Sequence, residues 1–176
     1  GAVWLDPQRT SPFRFYQFWL NTDDRDVEKY LKGFTFLPVA EIDELMVSHA
    51  TNPGAREAQR RLAIEVTRMV HAEEGLARAE RATGVLFGSV PPQQLGAVEL
   101  LDVFADVPST EMQRGRFEGA GVSAIDVLAE SGVAGSKGEA RRLISGGGVY
   151  LNGERLENVD RFVAAGDAID GEVLVL

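Results

Sequence analysis

Apolar residues recur at helical spacing through the first half of the chain. In FRFYQFW, residues 13–19, five of seven residues are aromatic. A helix that is apolar all round has to be covered on several sides. Ser11 is placed to cap this helix with Pro12 at its first position, where the missing N–H costs nothing. The helix is expected to run to about Leu20 and to break at Asn21-Thr22. A second helix starts at Thr22 or Asp23 with acids in its first turn. Val27, Tyr30 and Leu31 form its apolar stripe, and Gly33 is expected to end it as a left-handed cap. After a short connector, Phe34 to Leu37, Pro38 opens a third helix through about Ser48 with Ile42, Leu45 and Met46 inward. Asn52-Pro53-Gly54 reads as a turn. From Ala55 a long helix carries Leu62, Val66, Met69 and Val70, then Leu76, Ala79, Thr83, Leu86 and Phe87, with a bend expected at Gly75. The first 87 residues therefore predict an all-helical unit.

The pattern changes at Gly88-Ser89-Val90-Pro91-Pro92. A short helix with Leu95, Val98, Leu101 and Phe104 inward follows, until Pro108. Residues 109–121, STEMQRGRFEGAG, have no periodicity and read as a mobile linker. From Val122 the pattern is two short helices, then a hairpin and further strand. The first helix carries Ile125, Leu128 and Ala129 and stops at Gly132. Ser136-Lys137-Gly138-Glu139 has capping-box spacing, and its helix presents Ala140, Leu143 and Ile144 inward. Val149 and Leu151 alternate with Tyr150, and Asn152-Gly153 is the strongest short hairpin signal. Gly166-Asp167 is a further turn, and 172–176 is expected to be a last strand. The fold class is a mainly α helical domain, 22–108, a linker, 109–121, and a small α+β module, 122–176, with two helices packed on a small sheet. Such a short module has a marginal core on its own.

Composition narrows the function classes. There is no cysteine, hence no disulfide framework and no thiolate metal site, and a cytoplasmic location is expected. No apolar run is long enough to span a membrane. The start, GAVWLDPQRT, has neither the basic nor the apolar region of a signal peptide, and lacks an initiator Met, as in a fragment or processed chain. The formal net charge of −9 opposes tight nucleic-acid binding as a whole. The distribution is uneven, however. Residues 133–155 carry four bases (Lys137, Arg141, Arg142, Arg155) against two acids (Glu139, Glu154).

No catalytic constellation is visible. His49 and His71 lack a second ligand at metal spacing, and adjacent carboxylates such as Asp23-Asp24 and Glu73-Glu74 do not face one another on a helix. Gly146-Gly147-Gly148 follows a helix and precedes a strand, the reverse of a phosphate-cradling loop, so it reads as a helix stop. Six arginines between 56 and 81 are nearly cancelled by five acids. They are either a charged exterior with pairs such as Glu57–Arg61 or an RNA-facing edge. In the basic island, Arg141 and Arg142 point away from the apolar face of their helix. Lys137 sits where the helix dipole disfavours a cation unless an anion binds there. The plainer alternative is that Glu139 offsets Lys137 and the arginines only solvate the helix.

Three stretches carry a resemblance. SPFRFYQFWLNTDDRDVEKYLKGFTFL, Ser11–Leu37, closely resembles the segment of bacterial tyrosyl-tRNA synthetases that joins the catalytic domain to the helical anticodon-binding domain. VTRMVHAEE, Val66–Glu74, is similar to a second block of that family, with Ala72 where glycine is common. SKGEARRLISGGGVYLNGERL, from Ser136, resembles the small RNA-binding module that these enzymes share with a ribosomal protein. The resemblance covers 1–87 and 122–176; 88–121 matches loosely, through FADVPS.

The resemblance implies a class I ligase that joins tyrosine to ATP and then to its tRNA, with ATP and Mg2+ serving the complete enzyme, generally a homodimer. The family's two catalytic signatures are absent here, so no catalytic residue is carried over, this chain alone is expected to be inactive, and no cofactor is assigned to it. Residues 1–21 would form a junction to a catalytic domain not included in the sequence, with Phe13, Phe15, Tyr16, Phe18 and Trp19 at the domain interface and some of them exposed. The alternative is that all five pack inside the helical bundle. The matching RNA-binding positions are Ser136, Lys137, Arg141, Arg142, Asn152, Gly153 and Arg155, as phosphate and sugar contacts. The partner implied is the tRNA for tyrosine. The family usually continues past the last strand with a basic stretch, so stopping at Leu176 lowers the expected affinity. Two other readings remain open: a free-standing RNA-binding protein with the same module, and a helical protein-interaction domain.

Overall fold

Side-chain caps set the first two helices. In the computed structural model, which describes residues 3–176, α1 (Pro12–Leu20) begins at Ser11, whose hydroxyl accepts from Arg14 N at 3.2 Å. α2 (Asp24–Phe34) begins at Asp23, whose carboxylate accepts from Arg25 N at 2.9 Å. Gly33 lies inside α2 and is not its left-handed end. The helix stops instead at extended Thr35, whose hydroxyl donates back to Leu31 O at 2.7 Å. α3 (Val39–Thr51) and the long α4 (Glu57–Leu86) complete the helical series.

The bend in α4 falls at Ala72, not at Gly75. Ala72 has φ 58° and ψ −177°, outside helical space. Gly75 has another task, because a Cβ there would collide with the His71 side chain. The break and the missing side chain together seat the His71 ring edge-on against Phe15, with ring centroids 4.9 Å apart.

By contacts the chain divides into two units, residues up to Thr83 and Gly84–Leu176. In the first, Phe15, Val27, Leu31, Ile42, Leu62 and Val66 bring α1 to α4 into one core, and Tyr16, Ala63, Leu76 and Ala79 form a smaller one. A polar node pins the start of α4, with Gln59 and His49 buried and Asp24 and Arg56 exposed. Gln59 Nε2 donates to Thr22 O and to Asp24, His49 Nε2 lies 3.1 Å from Asp24 Oδ1, and Arg56 donates to Leu20 O at 2.7 Å.

The second unit begins upstream of Val122. In α5 (Ala97–Val103) the Ala97 amide donates to Asp170 Oδ2 at 2.7 Å. Residues 109–121, expected as a linker, pack against the unit: Phe117 is buried in its core, and Arg116 holds Glu130 through two hydrogen bonds of 2.7 and 2.8 Å. A lone phenylalanine without periodic neighbours gives no sequence signal of such packing.

The remaining elements are β1 (Val122–Ser123), α6 (Ala124–Glu130), α7 (Lys137–Ser145), β2 (Tyr150–Leu151), β3 (Glu154–Arg155) and β4 (Phe162–Val163). They make two separate antiparallel ribbons, β1–β4 and β2–β3, rather than one sheet. The segment 172–176 is not a strand. It is tied by a bridge between Ile169 and Val173, by Asn152 N donating to Val175 O, and by Val175 N donating to the Asn152 side chain. Leu128, Ala140, Ile144, Val149 and Val163 lie in the common core.

Candidate nucleic-acid interface

α7 organises the basic island. Ser136 Oγ accepts from Glu139 N at 3.2 Å, and Glu139 reaches back to Gly135 N at 2.8 Å, so the cap is reciprocal but one residue wider than predicted. Ala140 and Ile144 face the core, which leaves Arg141 and Arg142 on the solvent side. Neither guanidinium forms an ion pair or hydrogen bond among the described residues.

Glu139 is not the counterion of Lys137. That role falls to Asp126 of α6, whose carboxylate lies 2.8 Å from Lys137 Nζ and raises the ammonium's pKa by hydrogen bonding. Lys137 remains largely exposed and charged. Lys137, Gly138 and Arg141 line a shallow cleft with Ser123, Ile125 and Asp126. Asp126 is a site residue that the sequence gives no means of finding, since its partner lies eleven positions on in another helix.

Arg155 reaches the far end of the same helix. Its Nε donates to Gly147 O at 3.1 Å, and its guanidinium lies where a side chain at 147 would stand. Gly147 has φ 68°, so glycine serves both the helix stop and this close approach. From Lys137 to Ser145 the helix rises about 12 Å. One edge of the unit thus carries Lys137, Arg141, Arg142 and Arg155 in order.

Asn152 and Gly153 make the hairpin turn, with φ 51° and 83°. Gly153 is exposed, but Asn152 is turned inward. Its Nδ2 donates to Asp167 O at 2.6 Å and its Oδ1 accepts from Val175 N at 2.9 Å. At 7% exposure its amide has no face left for a ligand. The hairpin signal identifies the turn but not the distant carbonyl and amide that occupy the side chain.

In the other unit, the arginines of α4 mostly have partners. Arg61 pairs with Glu41 and Glu65 rather than Glu57, Arg68 with Glu65 and Glu73, and Arg78 with Glu74. They form a charge-laced exterior. The aromatics of α1 divide: Phe13, Phe15 and Tyr16 are buried, Trp19 is half-buried, and Phe18 is 47% exposed. Burial raises the Tyr16 pKa. Trp19 packs against Phe15, Phe18, Tyr30 and Phe34 with centroids 5.2–6.2 Å apart. Phe34 is itself 51% exposed, so Phe18 and Phe34 flank Trp19 as an apolar patch on α1 and α2.

The family described as "tRNA synthetases class I (W and Y)" matches residues 1–88, and the "Tyrosine--tRNA ligase SYY-like C-terminal domain" matches 99–176. A protein of Roseiflexus castenholzii named Tyrosine--tRNA ligase is 54% identical over 176 residues, covering all of this chain and 41% of that protein. One of the same name from Anaeromyxobacter dehalogenans is 48% identical over 177 residues, again covering all of this chain and 41% of that protein. A C-terminally truncated mitochondrial tyrosyl-tRNA synthetase of Aspergillus nidulans aligns with a TM-score of 0.47 at 41% identity, over 49% of this chain and 25% of that one. The chain spans about two fifths of the length of the curated relatives it matches.

Proposed function

The chain belongs to the class I tRNA synthetases (W and Y), and from that premise we propose that it is the tRNA-binding part of a tyrosine–tRNA ligase. The complete enzyme activates tyrosine with ATP and transfers it to its tRNA, as a cytoplasmic homodimer using ATP and Mg2+. Among the described residues no group of three or more His, Cys, Asp or Glu side chains is placed to hold a metal ion. Neither of the family's two catalytic signatures occurs in this sequence, so the chemical steps are assigned to the rest of the enzyme and none is derived from these residues.

The helical unit is the part that lies near the anticodon. The unit around α7 grips the RNA backbone. The observation that carries this reading is the row of cations along α7, with Arg141 and Arg142 outward and no acid committed to either among the described residues. Arginine on a solvent face suits phosphate, because its planar fork binds two oxygens at once. Such contacts position the RNA without reading its sequence. The patch of Phe18, Trp19 and Phe34 is the seam against the catalytic domain, since an exposed apolar cluster of this kind marks an interface.

A salt titration of the 176-residue chain with the tRNA for tyrosine tests the reading. Contacts from Lys137, Arg141, Arg142 and Arg155 give a log–log slope of about −3 to −4, if counterion release resembles that on DNA. The double variant Arg141→Ala, Arg142→Ala is expected to bind more weakly and to flatten the slope by about 2 units, with its far-UV circular dichroism unchanged. No binding by the unsubstituted chain at low salt, or an unaltered slope in the double variant, overturns it.

A further inference from the structure

The ribbon β1–β4 places a bare aromatic ring beside the cationic cleft. Val122 pairs with Val163 and Ser123 with Phe162. Both valines are buried, so the strand alternation turns Ser123 and Phe162 to the other face. Phe162 is 50% exposed, and it has no polar atom that would account for contact with water. Directly opposed side chains in an antiparallel pair stand about 5 Å apart at Cβ. Ser123 lines the cleft with Lys137 and Arg141, so the ribbon sets Phe162 directly opposite a residue of that cleft. The acid within the cleft, Asp126, is already engaged by Lys137, and Arg141 has no such partner among the described residues.

We propose that Phe162 is the stacking surface for one unpaired base of bound RNA, whose adjoining phosphate is taken by Arg141 and Lys137. This rests on the reading of the unit as RNA-binding and adds to it the kind of nucleotide recognised: one out of a helix, with its face free. Paired RNA hides its bases and is held by backbone and shape, whereas single-stranded loops and bulges offer bases that stack on aromatic side chains. A flat apolar ring next to two cations matches that combination of face and charge. Phe162 thus selects a looped or bulged nucleotide over a continuous duplex.

The test uses the 176-residue chain with two RNAs, the tRNA for tyrosine and a fully paired duplex of similar length. Phe162→Leu keeps an apolar side chain and removes the ring; Phe162→Trp keeps a ring. Phe162→Leu is expected to weaken tRNA binding about tenfold, the scale of one base–aromatic contact, with the salt slope unchanged because no charge is altered. Phe162→Trp is expected to bind the tRNA like the unsubstituted chain, and neither variant is expected to change binding to the duplex. Unchanged melting of Phe162→Leu shows that the loss is not one of folding. If Phe162→Leu binds the tRNA as the unsubstituted chain does, or weakens tRNA and duplex alike, the inference fails while the RNA-binding reading stands. If the unsubstituted chain binds neither RNA, both fail.

Discussion

Replacing Ala72 with glycine is expected to stabilise the helical unit. At φ 58° and ψ −177° the residue occupies backbone space that is open to glycine and nearly closed to any residue with a Cβ. A residue held there costs about 1–3 kcal/mol. Ala72 is exposed, so removing its methyl forfeits almost no buried surface. Glycine does widen the unfolded ensemble, which offsets about 0.4–1 kcal/mol. The usual penalty for glycine within a helix does not apply, because this residue is not helical. The net gain is about 1 kcal/mol, worth about 4–8 °C in Tm for a unit of this size if it melts independently. Thermal unfolding followed by far-UV circular dichroism measures it, with urea midpoints as a second measure. Ala72→Val serves as the opposite arm, since a β-branched side chain fits this conformation worse, and it is expected to melt below the unsubstituted chain. If Ala72→Gly melts at the same temperature or lower, the strain is not there and α4 is not broken as described.

Asn152→Ala is expected to destabilise the second unit by about 3 kcal/mol, from two lost side-chain hydrogen bonds and an alanine forced into left-handed space; denaturant unfolding checks this, and Asn152→Gly should recover the conformational share. His71 gives a pH dependence. Burial lowers its pKa below the usual 6.5, and its Nε2 is buried without a hydrogen-bond partner among the described residues. The unfolded chain therefore takes up the proton first. The stability that goes with neutral His71 is complete above about pH 6.5 and declines as pH falls from there toward the folded-state pKa. Urea midpoints between pH 8 and 5 are expected to drop more for the unsubstituted chain than for His71→Phe, and equal drops would remove His71 as the cause.

What could be read from the letters follows the range of the interactions. Ser11 before Pro12, and Ser136 three residues before Glu139, report helix starts because cap and amide lie within one turn. Gly33 and Gly75 mislead for one reason: glycine is read as freedom of the backbone. At Gly33 the neighbouring Thr35 hydroxyl ends the helix, and at Gly75 only the absence of a Cβ matters. The real irregularity sits on an alanine, and its one signal is that glycine is common there in the resembling family. Asp170-Gly171 was a hairpin signal in plain sight; both residues have positive φ, and the bridge from Ile169 to Val173 closes over them. Its second task, capping Ala97 from 73 residues away, leaves no local trace. Of the site, the outward face of Arg141 and Arg142 follows from helical period alone. The inward turn of Asn152 and the pairing of Lys137 with Asp126 depend on partners in other elements.

The bond from Asp170 to the first turn of α5, with Phe117 set in the core, bears on how this region can be passed between proteins. A segment excised at Val122 would leave behind the ring that plugs its interior, and would carry an aspartate whose amide partner had been left on the other side of the cut. The smallest portable piece that keeps its own interior intact starts upstream of Gly96, and a shuffling event in evolution or in the laboratory would have to respect that longer stretch.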